Sequence, residues 1–578
     1  MPAEPAKKTI SMIPARIPDG IRRPMKNSSA GTTPRRGYGY NRFLLTICGA
    51  RPFTYLAVIL LSISGTFFAI ISPLIMRSLI DDVLIGKITG LLTPLLLAIT
   101  GIFLISALSN YLSARIRGTL YIDLYREFSS RLFAHIQRAE YAPLRNFKTG
   151  DLQSRLTGNM TTVVQTAIRT MPQILVIGLG IILPLGIMIT MDATLAAAVI
   201  VPALLFIFSS AYFGKRMKAA QRPALDAEAG IQSYLKETLP SAPLIRVFGL
   251  ADWAEDHYDR QFRRFSETSV AVIRLSSLSA AVTMLIYSVP TILILTLGSL
   301  SVLKGTITVG TLTAFIAYVS LFLSPVLQVS DLWTSYKTSQ ASYDRVAEVL
   351  DLPDGREGSE PLPPGGEGEI RFENVRFSYD DRVILHDFNG HFSRGINYLI
   401  GENGSGKSTV LKLLCRLYSP HHGRITLDGR DLALVRGDDL RTYVSIVFSD
   451  SLIFDGSIYD NIVIGDLAAT REDVVLAARK AGLEDLVTTL PGQYDTCVGE
   501  NGLNLSSGEM QKIALARVLL RDSPVIVFDE FTRSIDEESK RAVYAVIRQL
   551  SGKTVIIVTH NMADIEEGSN VVHLAKVQ

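Results

Sequence analysis

A glycine-rich segment in the second half of the chain has the residue types needed to hold a phosphate group. It consists of the consecutive residues Gly401, Glu402, Asn403, Gly404, Ser405, Gly406, Lys407, Ser408 and Thr409. Glycines allow backbone N–H groups to wrap an anion, the Lys407 ammonium can reach the outer phosphates, and the Ser408 hydroxyl can ligate magnesium. A short apolar strand precedes the segment, and the helix expected after it would direct its N-terminus at the negative charge. The pattern predicts a site for ATP and Mg²⁺.

Two carboxylates end another apolar strand further along the chain. Residues 525–528 are apolar and lead into Asp529 and Glu530. Asp529 is placed to hold the metal, while Glu530 can polarise the water that attacks the γ-phosphate. A third apolar strand, residues 554–559, ends at His560, whose position beside the expected phosphate site favours a functional role over a structural one. We therefore predict Glu530 and His560 as catalytic residues, and Ser408 and Asp529 as magnesium ligands.

The first half of the chain contains the elements that would connect this site to a membrane. A helix needs about 20 apolar residues to cross the hydrocarbon core of a bilayer. Six uncharged stretches reach that length, at residues 52–76, 88–114, 170–191, 193–214, 275–303 and 305–330. The sequence therefore predicts six transmembrane helices in the lipid bilayer.

The distribution of basic residues predicts the orientation of these helices. The long segments 115–169 and 215–274 contain nine and ten lysines and arginines, whereas the other three connections are short. The positive-inside rule places such segments, and hence both termini, in the cytoplasm. Apolar residues continue through them at helical spacing, so the membrane helices should extend below the bilayer as long rods. Gln165 and Arg169 lie near the start of the third span, where we expect snorkelling or structural pairing rather than substrate contact.

Composition divides the chain into four parts. Residues 1–42 form a basic tail rich in Pro, Gly and Ser, which we expect to be disordered, and residues 43–350 form the transmembrane domain. Residues 351–368, rich in Gly, Pro and Glu, predict a flexible linker ahead of a nucleotide-binding domain at 369–578. The net charge of +3 gives no reason to expect a nucleic-acid partner, and the three cysteines have no metal-binding spacing.

The segment Leu505, Ser506, Ser507, Gly508, Glu509 resembles the signature sequence of ATP-binding cassette proteins. The resemblance covers nearly the whole chain. It implies a membrane α-helical bundle of six spans with long cytoplasmic extensions, followed by an α/β P-loop ATPase domain with a helical subdomain. Three further residues resemble functional residues of the family: Tyr379 the aromatic residue that stacks on adenine, Asp536 the aspartate-loop carboxylate, and His560 the switch histidine. Residues 498–502 resemble a segment that touches the membrane domain. Residues 149–156 resemble a loop motif of exporters.

Membership of this family implies a mechanism and partners. Two copies of the chain would form a homodimer in which each ATP lies between the phosphate loop of one copy and the signature of the other. ATP binding would drive the change from inward-facing to outward-facing, and hydrolysis would reset the cycle. The implied activity is an ATPase-coupled translocase that exports a small amphipathic substrate, either a peptide, a lipid or a drug. We expect it in a bacterial inner membrane, because no organelle presequence is evident.

Some positions depart from the family pattern. Ser449 stands where the family has a glutamine that contacts magnesium, although Asp450 could take over part of this role. Ser507 replaces a glycine and Glu509 a glutamine, and residues 533–536 read Arg-Ser-Ile-Asp. A weakly active or silent cassette that acts as an ATP-gated membrane regulator therefore remains an alternative. A soluble cassette ATPase acting on nucleic acid is disfavoured by the six spans.

Overall fold

The computed structural model describes residues 39–355, 357–363, 365–448, 452–499, 505–531, 537–550 and 552–576. Some of the predictions above concern residues outside these ranges. They are the basic tail up to residue 38, Ser449 and Asp450, residues 500–502 of the segment before the signature, and residues 533–536, which include Asp536.

Eleven α-helices form the described part of the membrane half. They are α1 (Tyr40–Ala50), α2 (Pro52–Ser78), α3 (Leu92–Arg138), α4 (Tyr141–Leu144), α5 (Thr149–Ser154), α6 (Met160–Gln165), α7 (Met171–Met191), α8 (Ala193–Thr238), α9 (Ala242–Val247), α10 (Ala251–Leu303) and α11 (Val309–Leu350). The π-helical turns Arg155–Asn159 and Thr166–Thr170 join α5, α6 and α7 into one rod, and a third turn, Leu79–Ile85, prolongs α2.

Six of these rods are long and apolar enough to cross a membrane. They are Pro52–Ile85, Thr89–Arg138, Thr149–Met191, Ala193–Thr238, Ala251–Leu303 and Val309–Leu350. Each overlaps one predicted span, although the spans 88–114 and 305–330 were predicted to begin one and four residues before the rod does. Five of the six rods are more than 40 residues long, which is about twice the length that a bilayer requires. The prediction of a six-helix bundle with long cytoplasmic extensions is therefore confirmed.

Polar caps begin the helices at the short turns. The Asp192 carboxylate accepts hydrogen bonds from the backbone N–H groups of Thr194 (2.8 Å) and Leu195 (3.0 Å), which starts α8 immediately after α7. The Asp81 carboxylate accepts the Gly310 N–H at 2.8 Å at the start of α11. A Cβ atom at residue 310 would lie 2.5 Å from the Arg77 carbonyl oxygen, so only glycine allows this close approach.

The end of the membrane half that adjoins the ATPase half has its own apolar core, to which α1 contributes. Tyr40, Leu44 and Ile47 are buried in it together with residues of α3, α6 and α11. The Tyr40 ring lies 5.1 Å from the Tyr336 ring in an edge-to-face contact. Residues 40–42, the last three of the predicted tail, therefore belong to a helix that packs on this core, and the tail boundary at residue 42 is too late by three residues.

The described residues of the ATPase half form nine strands and seven helices. The strands are β1 (Ile370–Tyr379), β2 (Arg382–Phe392), β3 (Gly395–Gly401), β4 (His422–Leu427), β5 (Arg430–Asp431), β6 (Val444–Val447), β7 (Val525–Asp529), β8 (Thr554–Thr559) and β9 (Asn570–Leu574). The helices are α12 (Lys407–Leu414), α13 (Gly437–Tyr443), α14 (Ile458–Val463), α15 (Arg471–Lys480), α16 (Glu484–Thr489), α17 (Ser507–Arg521) and α18 (Glu537–Gln549).

Two sheets organise this half. A parallel sheet has the order β6-β7-β8-β3-β9, and an antiparallel sheet has the order β2-β1-β4-β5. The strands of the parallel sheet are almost entirely apolar, as expected when both faces of a sheet are covered. Helices α14 to α17 lie between β6 and β7 in the chain and form the predicted helical subdomain. The α/β class is confirmed.

The segment between α11 and β1 packs against the ATPase half instead of hanging freely. Leu362 is 8% exposed, and its N–H donates to the Asp439 carboxylate at 3.0 Å. The Glu360 N–H donates to the Leu434 carbonyl at 2.9 Å. The expectation of a flexible linker from its Gly, Pro and Glu content is wrong for these residues, because an apolar side chain and backbone hydrogen bonds fix them.

Candidate functional site

The glycine-rich segment forms a tight loop between β3 and α12. Gly404 and Gly406 have φ angles of 79° and 103°, a region that favours glycine. A Cβ atom at residue 406 would lie 2.7 Å from the Ile384 side chain, so a larger residue would also clash there. Helix α12 begins at Lys407 and points its N-terminus at the loop. The backbone thus adopts the shape of an anion cradle.

Two side chains of the loop show that it is suited to phosphate oxygens. Lys407 is 6% exposed, and its ammonium donates to the carbonyls of Gly401 (2.8 Å) and Glu402 (3.0 Å). The Ser405 hydroxyl is buried and has no hydrogen-bond partner among the described residues. A buried hydroxyl without a partner costs free energy, and a phosphate oxygen at the loop would provide one. These residues fit a nucleoside triphosphate.

The parallel sheet brings the other candidate residues to the same edge. Strand β8 lies between β7 and β3, with Asp529 opposite Val558 and Ile400 opposite Thr559. The phosphate loop, Glu530 and His560 each follow the carboxyl end of one of these strands. In open α/β sheets, ligands bind at this edge.

Glu530 and His560 approach each other at that edge. Their Oε1 and Nδ1 atoms are 3.8 Å apart. Glu530 has a φ angle of 44°, and its N–H donates to the Val558 carbonyl at 3.2 Å. A non-glycine residue in the left-handed region is strained, and such strain occurs often at functional sites. The structure therefore places the two predicted catalytic residues next to each other at this edge.

Ser408 and Asp529 provide oxygen donors of the type that Mg²⁺ prefers. Ser408 is exposed in the first turn of α12, whereas Asp529 is 9% exposed at the end of β7. A hydroxyl and a carboxylate at the same sheet edge suit this hard cation. Thr409, the next residue of α12, is buried.

Tyr379, the predicted adenine-stacking residue, contacts the membrane half directly. The guanidinium of Arg145, which follows α4, lies 5.3 Å from the centre of the Tyr379 ring. The Tyr141 ring of α4 makes an edge-to-face contact with Tyr418 at 5.6 Å, and Tyr418 in turn lies 5.2 Å from Tyr379. Sequence reasoning missed Arg145, because it is one of nine basic residues in its loop and only the folded contact distinguishes it.

The signature segment begins α17. Ser506 caps this helix, since its hydroxyl accepts the Glu509 N–H at 3.3 Å while the Glu509 carboxylate accepts the Ser506 N–H at 2.7 Å. Leu505 packs against the apolar core of the helical subdomain. Ser507 and Gly508 occupy the first two positions of the helix, at the end whose dipole favours an anion. The glutamate that departs from the family pattern therefore completes the cap.

Three comparisons with known proteins agree with this architecture. A family model described as "ABC transporter transmembrane region" matches residues 55–326, and one described as "ABC transporter" matches residues 385–533. The chain is 29% identical to the putative multidrug export ATP-binding/permease protein YgaD of Bacillus subtilis, over 86% of this chain and 88% of that protein. It is 28% identical to the leukotoxin translocation ATP-binding protein LktB of Mannheimia haemolytica, over 90% of this chain and 74% of LktB.

A solved structure supports the fold. The structure of a bacterial Atm1-family ABC exporter with ATP bound aligns with a TM-score of 0.77 and covers 92% of this chain and 95% of its own, at 22% sequence identity. The two family models cover both halves of the chain in the order transmembrane region, then ATPase. The chain therefore belongs to the ATP-binding cassette transporters of the exporter type, in which a transmembrane region is fused ahead of the ATPase domain.

Proposed function

We propose that the protein is an ATP-hydrolysing exporter that works as a homodimer by alternating access. The observation that carries this proposal is the convergence of the phosphate loop, the Glu530–His560 pair and Asp529 at one sheet edge, in a chain that also has six membrane-crossing helices. The contact of Arg145 with Tyr379 adds a physical connection between the two halves.

Each predicted site residue has a role in this proposal. Tyr379 stacks on adenine, and Lys407 exchanges its two carbonyl partners for phosphate oxygens. Glu530 accepts a proton from the attacking water, and His560 orients Glu530 and the γ-phosphate. Ser408 and Asp529 would hold Mg²⁺, which supplies positive charge that offsets the charge of the phosphates.

Transport requires that ATP binds one conformation better than the other, because only differential affinity shifts an equilibrium. We propose that the Arg145–Tyr379 contact transmits this difference. Adenine that packs on Tyr379 changes the environment of Arg145, and α4 connects that residue to the rods α3 and α5.

Exposed apolar surface supports the homodimer. The tip of the α8–α9–α10 hairpin has four apolar residues that are 57–82% exposed: Leu239, Leu244, Val247 and Phe248. The ATPase half has three that are 47–70% exposed near the end of β6: Phe448, Leu452 and Phe454. Contiguous exposed apolar groups mark interaction surfaces. In a homodimer the hairpin tip of one copy would cover this second surface on the other, and Leu505–Glu509 would face the partner's ATP.

A cross-linking experiment tests this arrangement. In a chain whose three cysteines are replaced by serine, Val247→Cys combined with Leu452→Cys should give a disulfide-linked dimer in membranes. The pair Val247→Cys and Val383→Cys is the matched control, since Val383 is 47% exposed on the antiparallel sheet. A cross-link confined to one chain, or equal dimer yields from both pairs, would contradict the homodimer.

We further propose that the substrate is a small amphipathic molecule that enters from the cytoplasm or the inner leaflet, and that both termini lie in the cytoplasm of a bacterium. Relatives named for multidrug export and for leukotoxin translocation support an exported cargo without choosing its class. The departure at Ser449 keeps the alternative of a silent, ATP-gated regulator. ATP-dependent loading of inside-out vesicles with a fluorescent amphiphile distinguishes the two, because a regulator would not accumulate it.

A further inference from the structure

A polar cavity lies at the cytoplasmic end of the membrane bundle. It has a volume of about 490 Å³ and lies between the rod that contains the π-helical turn Thr166–Thr170 and the helix α11. Eleven of its twelve lining residues have polar side chains, and Leu332 is the exception. The volume falls in the range of about 300–1,000 Å³ typical of small-molecule sites, but such sites are mostly apolar. The polarity of this cavity therefore restricts what it can bind.

The end of the cavity that lies deeper in the membrane is closed. The side-chain amide of Gln173 donates to the Gln328 carbonyl oxygen at 3.0 Å, across the gap between α7 and α11. Further along the same two helices, a Cβ atom at Gly180 would lie 2.8 Å from Pro325, so the helices touch there. Both glutamines lie within predicted apolar spans, and the rest of the cavity continues towards the cytoplasm.

Two opposite charges line this cavity without a partner. Arg169 and Asp331 are both exposed to solvent, and within the part of the chain that the structure describes neither side chain takes part in an ion pair or a hydrogen bond. Charged groups near the hydrocarbon are costly and are normally paired or face a functional cavity. Of the two outcomes expected for Arg169, snorkelling or structural pairing, the described residues show no pairing, and the side chain is exposed. A π-helical turn, a feature frequent at functional sites, contains this residue.

We infer that the cavity binds a small zwitterion of the peptide type, an inference that rests on the proposed export function. The Arg169 guanidinium pairs with the carboxylate of the ligand, and Asp331 pairs with its ammonium group. The amide groups of Gln165, Gln173 and Gln328 match peptide amides, because each offers both a donor and an acceptor. A neutral apolar drug would leave both charges unpaired, and eleven polar lining residues leave little surface for an acyl chain.

Tripeptides with modified ends test this assignment on the full-length protein in nanodiscs. Four mixed-sequence tripeptide libraries serve as probes: one with free ends, one N-acetylated, one C-amidated and one blocked at both ends. Binding without ATP is measured by calorimetry, and stimulation of ATP hydrolysis is measured separately. The free-ended library should bind at least about tenfold more tightly than the doubly blocked one, since each charge-assisted contact contributes on the order of a tenfold change.

Variants assign each end of the peptide to its residue. Arg169→Gln should weaken binding of the free-ended and N-acetylated libraries about tenfold and leave binding of the C-amidated library unchanged. Asp331→Asn should weaken the free-ended and C-amidated libraries and leave the N-acetylated one unchanged. Arg115→Gln and Asp344→Asn, exposed residues outside the cavity, are the matched controls and should change nothing.

Other outcomes overturn the inference. Equal binding of all four libraries would exclude recognition of the peptide ends. A lipid headgroup would be the ligand instead if three results were found together. ATP hydrolysis would be faster in phosphatidylethanolamine than in phosphatidylcholine nanodiscs, Arg169→Gln would abolish this difference, and no peptide would bind. If only an apolar drug stimulates ATP hydrolysis, the proposal of an exporter stands and the assignment of the cavity to a zwitterion is wrong. If peptides bind but ATP is not hydrolysed, the proposed function fails while the cavity assignment stands.

Discussion

Replacing Arg155 by methionine should destabilise the membrane half, and the structure sets the magnitude. The Arg155 side chain is 8% exposed and pairs with Asp151 at 3.0 Å and with Glu348 at 2.7 Å. It also donates to the Arg345 carbonyl and lies 4.7 Å from the centre of the Phe147 ring. These contacts join the exporter-like motif at residues 149–156 to the end of α11, which leads into the ATPase half.

The expected cost lies between two limits. Breaking a fully buried ion pair costs about 3–5 kcal/mol, whereas an exposed pair contributes about 0–1 kcal/mol. Asp151 and Glu348 have side chains that are 42% and 58% exposed, so both can regain water when the guanidinium is removed. We therefore expect Arg155→Met to lower the free energy of unfolding by about 1–3 kcal/mol.

Arg131→Met is the matched control for this substitution. Arg131 also pairs with an acidic residue, Glu127 at 2.5 Å, and also lies over an aromatic ring, that of Phe128 at 5.6 Å, but its side chain is 35% exposed. Thermal unfolding in nanodiscs should show a drop in Tm of several degrees for Arg155→Met and little change for Arg131→Met. Equal shifts for the two variants would refute the reasoning, because Arg155 is the more buried residue and also pairs with a second carboxylate and donates to a backbone carbonyl.

Further predictions concern the ATPase half. Tyr379→Ala should raise the KM for ATP roughly 5–150-fold, because stacking of a base on an aromatic ring contributes about 1–3 kcal/mol, and kcat should change little. Steady-state kinetics check this, with Tyr379→Phe as the control that keeps the ring; equal effects of the two would contradict stacking. Burial raises the pKa of the Cys415 thiol to about 12, whereas Cys497 is exposed. Alkylation at pH 8 followed by mass spectrometry should therefore modify Cys497 faster than Cys415, since the thiolate is the reacting form and the raised pKa keeps the Cys415 thiol protonated. Labelling of Cys415 as fast as that of Cys497 in the native protein would contradict the raised pKa.

Much of the architecture follows from signals that are local in the sequence. The six spans are long apolar segments, and each coincides with one membrane-crossing rod to within four residues at its start, because a bilayer requires a minimum length of apolar helix. The phosphate loop, Glu530 and His560 follow apolar strands, and parallel strands carry such residues to one edge of a sheet. Strand ends and loop glycines are therefore sufficient to predict which residues share this edge.

The features that sequence reasoning missed depend on contacts between distant segments. Leu362 is one apolar residue in a stretch rich in Gly, Pro and Glu, but it is buried in the apolar core of the ATPase half, and its N–H donates to Asp439, far away in the chain. Arg145 resembles its basic neighbours until the fold places it over Tyr379. For Arg169 the sequence predicts snorkelling or structural pairing, but not that the π-helical turn that contains it lines a cavity opposite α11. No local pattern encodes these tertiary relations.

ATP hydrolysis by the wild-type protein and by Glu530→Gln, purified into nanodiscs, tests the central claim most directly. General base catalysis contributes about 10²–10⁴-fold, so the variant should lose at least about 99% of the turnover. Its affinity for ATP should remain, because Tyr379, Lys407 and the loop glycines are unchanged. Turnover in the wild type that disappears in Glu530→Gln while ATP still binds is the predicted result. Wild-type protein that binds ATP without hydrolysing it, or a variant as active as the wild type, would contradict the account.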